Sequence, residues 1–191
     1  CGLRIPRSKR AASATNARAV AVDVGFPVVL KGEGVAHQTE AGAVVLHLNS
    51  GQEVSDAAFE MQAKRFLVEE MITGTVAELL IGVVKDPAHG FVMTLAAGGT
   101  LTELLEDSVS VLLPCHEAEL EAALASLRVS KLLGGYRGAP PADHEAILRA
   151  IRAVEAYVME NALGLEEIEI NPLICTSTDA IAADVLMRRK Y

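Results

Sequence analysis

The amino-acid sequence predicts an α+β protein with mainly antiparallel sheets, on three observations. Hydrophobic residues make up 51% of the 191-residue chain but aromatics only 4%, so the core has to be built from Ala, Val, Leu and Ile. That palette suits helices packed on sheets better than an all-β sandwich. Segments with apolar residues three and four apart also alternate with short segments of period two. The period-two segments are joined by turn sequences such as Thr73-Gly74-Thr75 and Asp86-Pro87-Ala88-His89-Gly90, not by regular crossover helices.

Taken in order, Ser13 to Val24 reads as a helix, capped by Ser13 or Thr15 and stopped by Gly25. Pro27 to Lys31 follows as a strand, with proline in the tolerated first position. Residues 32–42 form a polar, glycine-bearing loop, and Ala43 to Leu48 a second strand. A helix is expected over Val54 to Lys64. Phe66 to Ile72, Ala77 to Val84 and Phe91 to Leu95 read as three strands of one antiparallel meander. Gly98-Gly99 marks a turn before Leu101 to Leu105. One helix is expected from Glu117 to Leu133 and a longer one from Ala142 to Glu160, with Ile147, Ile151, Val154 and Val158 on its apolar side. Glu167 to Ile170, a break at Pro172, and Ile181 to Leu186 close the chain as a hairpin.

With 25 acidic and 17 basic residues the formal charge is −8. Basic residues cluster at the N-terminus (Arg4, Arg7, Lys9, Arg10) and the C-terminus (Arg188, Arg189, Lys190), and read as solvated tails. Without a basic stripe or interleaved aromatics, no nucleic-acid partner is expected. The densest apolar run, Leu79 to Val84, ends at Lys85 and is too short to span a bilayer, so no membrane partner is expected either. Cys1, Cys115 and Cys175 form no CxxC pair, which argues against a zinc site or a disulfide framework and suits a reducing, cytoplasmic setting. A chain beginning at Cys1 reads as a fragment of a longer polypeptide.

Several residues carry possible chemistry. Lys31 ends an apolar strand and faces a glycine-containing loop, where its ammonium could meet phosphate oxygens or simply snorkel from a sheet edge. Phe66 to Met71 leads apolar residues into Glu69, Glu70 and Met71, the form of a hinge that holds adenosine, or of an ordinary edge strand. Glu78 shares a strand face with Leu80, Gly82 and Val84, and a half-buried carboxylate wants a cation or a donor. The sharpest signal is Glu167-Ile168-Glu169-Ile170-Asn171-Pro172-Leu173, where alternation places Glu167, Glu169 and Asn171 on one face. Asp184, alone in the apolar strand Ile181 to Leu186, would return opposite Asn171 in a hairpin. Carboxylate and amide oxygens brought together in this way suit Mg²⁺. His37 lies in the loop after Lys31 and could donate to a phosphate or accept a phosphoryl group.

In order and spacing these pieces resemble the ATP-grasp domain of ADP-forming acyl-CoA synthetases, which is related to the succinyl-CoA synthetase β subunit. The resemblance runs through Gly25 to Lys31, His37 to Gly42, Val68 to Met71, Glu78 to Val83, Asp86-Pro87, Gly98-Gly99, Gly134-Gly135-Tyr136-Arg137-Gly138, and Glu169 to Leu173 followed by Asp184. It implies an ATP-grasp fold, with residues 1–70 and 71–191 as two α+β lobes enclosing a nucleotide cleft. It also implies that Lys31 and Gln38 face nucleotide phosphates, that Glu69, Glu70 and Met71 hold adenosine, and that Glu78 lines the nucleotide pocket. Asn171, Asp184 and Glu169 would coordinate Mg²⁺, and His37 would receive phosphate on the nucleotide side. ATP or ADP would be the substrate, and acid, CoA and ATP would become acyl-CoA, ADP and phosphate. That reaction needs CoA-binding and CoA-ligase domains as partners, the latter carrying a phosphohistidine. This chain alone is therefore expected to bind nucleotide without turning over, and it could self-associate as a homo-oligomer. The family usually has lysine at Gln38, a glycine at Ala43 and often arginine at Val111. The rival expectation is a non-catalytic nucleotide-sensing module of a larger regulatory protein, such as an acetyltransferase fusion.

Overall fold

The structure is a computed structural model that describes residues 2–33, 43–61, 63–99 and 107–190. It divides into two compact units, one of Pro6–Ile72 and one of Thr73–Tyr191 with Cys1–Ile5. Each has its own sheet and its own core. All strand pairings within the two sheets are antiparallel, as expected.

In the Pro6–Ile72 unit, β1 (Ser8–Ala11), β2 (Val28–Glu33), β3 (Val44–Leu48) and β4 (Arg65–Glu70) form a sheet of order β1-β4-β2-β3. Helix α1 (Ala14–Val24) starts where the Ser13 hydroxyl accepts the Asn16 N–H at 3.2 Å, and stops at Gly25, whose φ is 93°. Helix α2 (Gly51–Glu60) begins three residues before the expected start. There the Ser50 hydroxyl accepts the Glu53 N–H at 3.2 Å and the Glu53 carboxylate accepts the Asn49 N–H at 2.8 Å, a polar cap that apolar periodicity does not register. Period two buries Val28, Leu30, Phe66 and Val68 against Ala17, Ala21, Val54 and Ala58. Burying Leu30 or Phe66 fully contributes roughly 1.5–3 kcal/mol each before chain entropy is subtracted.

Two expectations are overturned in this unit. The basic N-terminal residues are not a tail: Arg7 meets Glu70 (2.6 Å), Lys9 meets Asp23 (3.2 Å), and Arg10 meets Glu33 (2.7 Å), with β1 as an edge strand. Their acidic partners are distant in sequence, so a local charge run hides them. Nor is β4 the first strand of a meander. It pairs with β1 and β2, and Thr73-Gly74 leads out of its sheet instead of turning a hairpin.

In the second unit, β5 (Thr75–Asp86), β6 (Gly90–Ala97), β7 (Ser108–Leu113), β8 (Leu165–Thr176) and β10 (Val185–Arg189) run in the order β10-β8-β5-β6-β7. Short β9 (Ala180–Ala182) pairs with β8. Helices α3 (Glu117–Ser126), α4 (Ser130–Leu133) and α5 (His144–Glu160) cover one sheet face, burying Leu79, Ile81, Met93, Leu95, Ile168 and Ile170. The single helix expected over Glu117 to Leu133 is interrupted at Leu127, which is extended (ψ 144°). The buried Asp107 carboxylate accepts the N–H groups of Arg128 (2.8 Å) and Val129 (2.9 Å) and restarts the chain as α4. Pro172 does not end its strand either: β8 passes through a register shift opposite Leu79 to Ile81 and continues to Thr176. At the C-terminus Arg188 lies on β10 and meets Glu167 at 2.8 Å, so this cluster is no tail.

The boundary between units falls at Ile72/Thr73. Residues up to Ile5 go with the second unit because Arg4 bridges Ile181, accepts the Ala182 N–H at 2.9 Å and pairs with Asp179. Among the described residues no helix is long and apolar enough to cross a membrane. Leu101 to Leu105 lie outside the described residues.

Candidate functional site

In the Pro6–Ile72 unit, alternation along β2 sends Leu30 to the helix side and Lys31 to the opposite face. Register pairs Val29 with Glu69 and Lys31 with Leu67, so Lys31 and Glu69 are diagonal neighbours on that face. The Lys31 ammonium lies 2.7 Å from the Glu69 carboxylate, and the two side chains are only 14% and 10% exposed. Glu70 is gripped by Arg7, whose backbone N–H and Nε donate at 3.0 and 2.6 Å. The Met71 N–H donates to the Pro27 carbonyl at 3.0 Å. The expected adenosine segment is thus tied to neighbouring chain at each of its three residues. His37 and Gln38 lie outside the described residues.

In the second unit, Glu78 lies half-buried on the sheet face away from the helices, between the buried core residues Ala77 and Leu79. Register sets Glu169 of β8 opposite Gly82 of β5 and Leu186 of β10. Asn171 follows two residues later, and its backbone N–H donates to the Asp184 carbonyl at 3.2 Å. Asp184 therefore returns opposite Asn171, but the expected strand Ile181 to Leu186 is split into β9 and β10, with Asp184 in the gap between them. Asp184 is exposed, and one of its carboxylate oxygens accepts the Val185 N–H at 2.9 Å. Glu167 turns to Arg188 instead.

A feature that sequence reading takes only for a turn joins this group. The Gly99 N–H donates to Asn171 Oδ1 at 3.1 Å, and the Gly98 N–H to the Glu78 carbonyl at 2.8 Å. A Cβ on Gly98 would lie 2.5 Å from the Leu79 carbonyl carbon, so only glycine lets the chain come this close to β5. The Gly-Gly pair is the one signal that could have pointed to the close approach. Val111, where the family often has arginine, pairs with Met93 and packs against the core.

Among the described residues no three His, Cys, Asp or Glu side chains converge as a closed metal cage. The donors present at Asn171, Asp184 and Glu169 are one amide and two carboxylate oxygens, the hard set that Mg²⁺ takes while keeping waters and phosphate oxygens. The residues fit an open magnesium site of that kind. Beneath them Cys175 is inert: burial, and secondarily the Glu78 charge, push its thiol up to about 12.

Residues 1–188 match the family model of the ATP-grasp domain. A 4-hydroxybutyrate–CoA ligase (ADP-forming) of Nitrosopumilus maritimus is 31% identical over 186 residues, covering 91% of this chain but 26% of that protein. The chain thus spans about a quarter of that relative's length. The β subunit of acetate–CoA ligase (ADP-forming) II of Pyrococcus furiosus is 27% identical over 184 residues, 90% of this chain and 78% of that subunit. A structure of acetyl-coenzyme A synthetase 1 of Ca. Korarchaeum cryptofilum superposes with a TM-score of 0.86 at 29% identity, covering 99% of this chain and 86% of that one. That structure holds coenzyme A and Mg-AMPPCP, with its phosphohistidine segment pointing towards the nucleotide binding site. With the fold and a match over nearly its whole length agreeing, this chain belongs to the ATP-grasp domain family.

Proposed function

We propose that the chain is the nucleotide-handling part of an ADP-forming acyl-CoA synthetase, in which acid, CoA and ATP become acyl-CoA, ADP and phosphate. Its partners are CoA-binding and CoA-ligase domains, the latter carrying the phosphohistidine, and its setting is the cytoplasm. The observation that supports this reading is the backbone bond from the Asn171 N–H to the Asp184 carbonyl at 3.2 Å, which sets the two residues opposite each other, with Glu169 two residues before Asn171 on β8. The similarity to ADP-forming CoA ligases supports the reaction class.

In this reading Lys31 holds nucleotide phosphates, already oriented by Glu69. Gln38 adds a neutral donor for the phosphates, where a lysine would add charge. Glu69 to Met71 frames the adenosine, and Glu78 borders the nucleotide. Asn171, Asp184 and Glu169 hold Mg²⁺, which when bound offsets the charge of the phosphates. His37 receives the phosphoryl group before it passes to the partner domain.

Two measurements test the proposal. Mg²⁺ with ADP at about 100-fold over Kd should add roughly 2.7 kcal/mol to the stability of the chain, read as a rise in melting temperature. No rise overturns nucleotide binding. With the partner domains present, γ-labelled ATP should leave acid-labile phosphate that is lost in His37→Asn. Label that survives in His37→Asn removes His37 from the relay.

A further inference from the structure

We propose that Gly99 is the positioning residue of the metal site: its N–H selects the amide rotamer that turns the Asn171 oxygen to the cation. The inference rests on the reading of Asn171 as a magnesium ligand. A backbone N–H can only donate, so the Asn171 atom it meets at 3.1 Å must be the carbonyl oxygen. A flipped amide would set its NH₂ against that N–H, donor against donor. With the oxygen held there, one lone pair accepts from Gly99 and the other stays available to a cation. The amide NH₂, which would repel a cation, points elsewhere.

Position 99 admits no side chain without disturbing this. Gly99 has φ +70°, and an added Cβ would lie 1.9 Å from Glu78 Oε2 and 3.1 Å from its carboxyl carbon. Alanine must push the Glu78 carboxylate aside or pull the Gly99 N–H off Asn171. Gly98 ties the turn to β5, since its own N–H is bonded to the Glu78 carbonyl and a Cβ on it would lie 2.5 Å from the Leu79 carbonyl carbon. The Gly-Gly turn therefore links Glu78 and Asn171, which lie on neighbouring strands β5 and β8. Metal affinity commonly falls 10- to 100-fold when a partner that orients a ligand is removed.

The test is the ratio of ADP dissociation constants without and with Mg²⁺, measured by calorimetry on wild type, Gly99→Ala and Gly90→Ala. Gly90 is the control: its φ is +81°, so alanine there carries similar backbone strain, but a Cβ would have nothing within 4 Å. Gly90→Ala should keep the wild-type ratio, and Gly99→Ala should lower it by about tenfold or more while magnesium-free ADP binding changes less. A Gly99→Ala ratio equal to that of wild type overturns the inference. A wild-type ratio near one overturns the reading of the metal site itself, and this inference with it. Should Gly99→Ala fail to fold, the amide resonance of Gly99 in the wild-type chain decides. It should shift on addition of Mg²⁺ with ADP, and in Asn171→Ala the shift should vanish. A Gly99 resonance that ignores Mg²⁺ overturns the proposal.

Discussion

Three carboxylates in each unit stand in opposite situations. In Pro6–Ile72, Glu33 meets Arg10, Glu69 meets Lys31 and Glu70 meets Arg7, so each acidic group of β2 and β4 has a protein cation. In the second unit Glu78, Glu169 and Asp184 form no ion pair among the described residues. Glu78 and Glu169 are nevertheless half-buried. One unit offers a lysine already neutralised and held; the other offers oxygen atoms still in want of a cation. Charge totals hide this, because a net charge of −8 says nothing about which carboxylates are already paired.

The comparison breaks most visibly at Lys31. Replacing it by Met leaves the Glu69 carboxylate, 10% exposed, without its cation. Removing one partner of a buried pair typically costs about 3–5 kcal/mol, whereas replacing both by apolar groups is often close to neutral. Lys31→Met should therefore lose stability on that scale in urea unfolding, and Lys31→Met/Glu69→Leu should regain most of it. Both variants should lose ADP binding. A single variant with an unmoved midpoint would mean that Glu69 finds water or another donor, and that the unit is less self-contained than its geometry indicates.

Asp184 should behave in the reverse way. It is exposed and forms no ion pair among the described residues, so Asp184→Ala should change stability by no more than about 0.5 kcal/mol. Its magnesium-dependent ADP affinity should fall by about tenfold or more. Chelating Mg²⁺ from wild type should reproduce that loss, and adding it back should restore wild type but not the variant. Loss of stability without loss of magnesium dependence would place Asp184 among structural groups.

What could be read in advance follows the range of the forces involved. Helix α1 was legible because its cap Ser13 and stop Gly25 are adjacent to it in the chain. The pairing of Asn171 with Asp184 was legible because period two and a lone acid in an apolar run are also local patterns, although the run itself is split between β9 and β10. The pairing of Lys31 with Glu69 was not, since each reads separately as an edge residue until β2 and β4 are set in register. Membership of β4 in the first sheet is likewise a matter of non-local hydrogen bonds. Strand β1 was missed because Ser8 to Arg10 reads as charge, and its partners come from β4, α1 and β2. The break at Leu127 depends on Asp107, some twenty residues earlier in the chain. The link from Gly99 to Asn171 spans 72 residues, and nothing local announces it.

The mildest test concerns a carboxylate in the second unit that needs neither lysine nor metal. Asp86 accepts the N–H groups of Ala88 and His89, each at 2.8 Å, and meets the His89 ring at 2.9 Å. Those backbone N–H groups, then the imidazole, hold its pKa below the ordinary aspartate value. A lowered folded-state pKa means that the stabilisation is present above the unfolded value, near 3.9, and is lost as pH falls through the folded one. Asp86→Asn should therefore melt slightly below wild type at neutral pH, with the gap closing once the solution is acid enough to protonate Asp86 in the folded chain. Because its donors are mostly backbone, the Asp86 carboxyl resonance followed by NMR should not move when Mg²⁺ and ADP are added, while that of Asp184 should. Equal responses at the two sites would mean that the difference between paired and cation-seeking carboxylates is not local to the Asn171 hairpin. A silent Asp86 beside a responsive Asp184 would locate the demand for a cation at that hairpin.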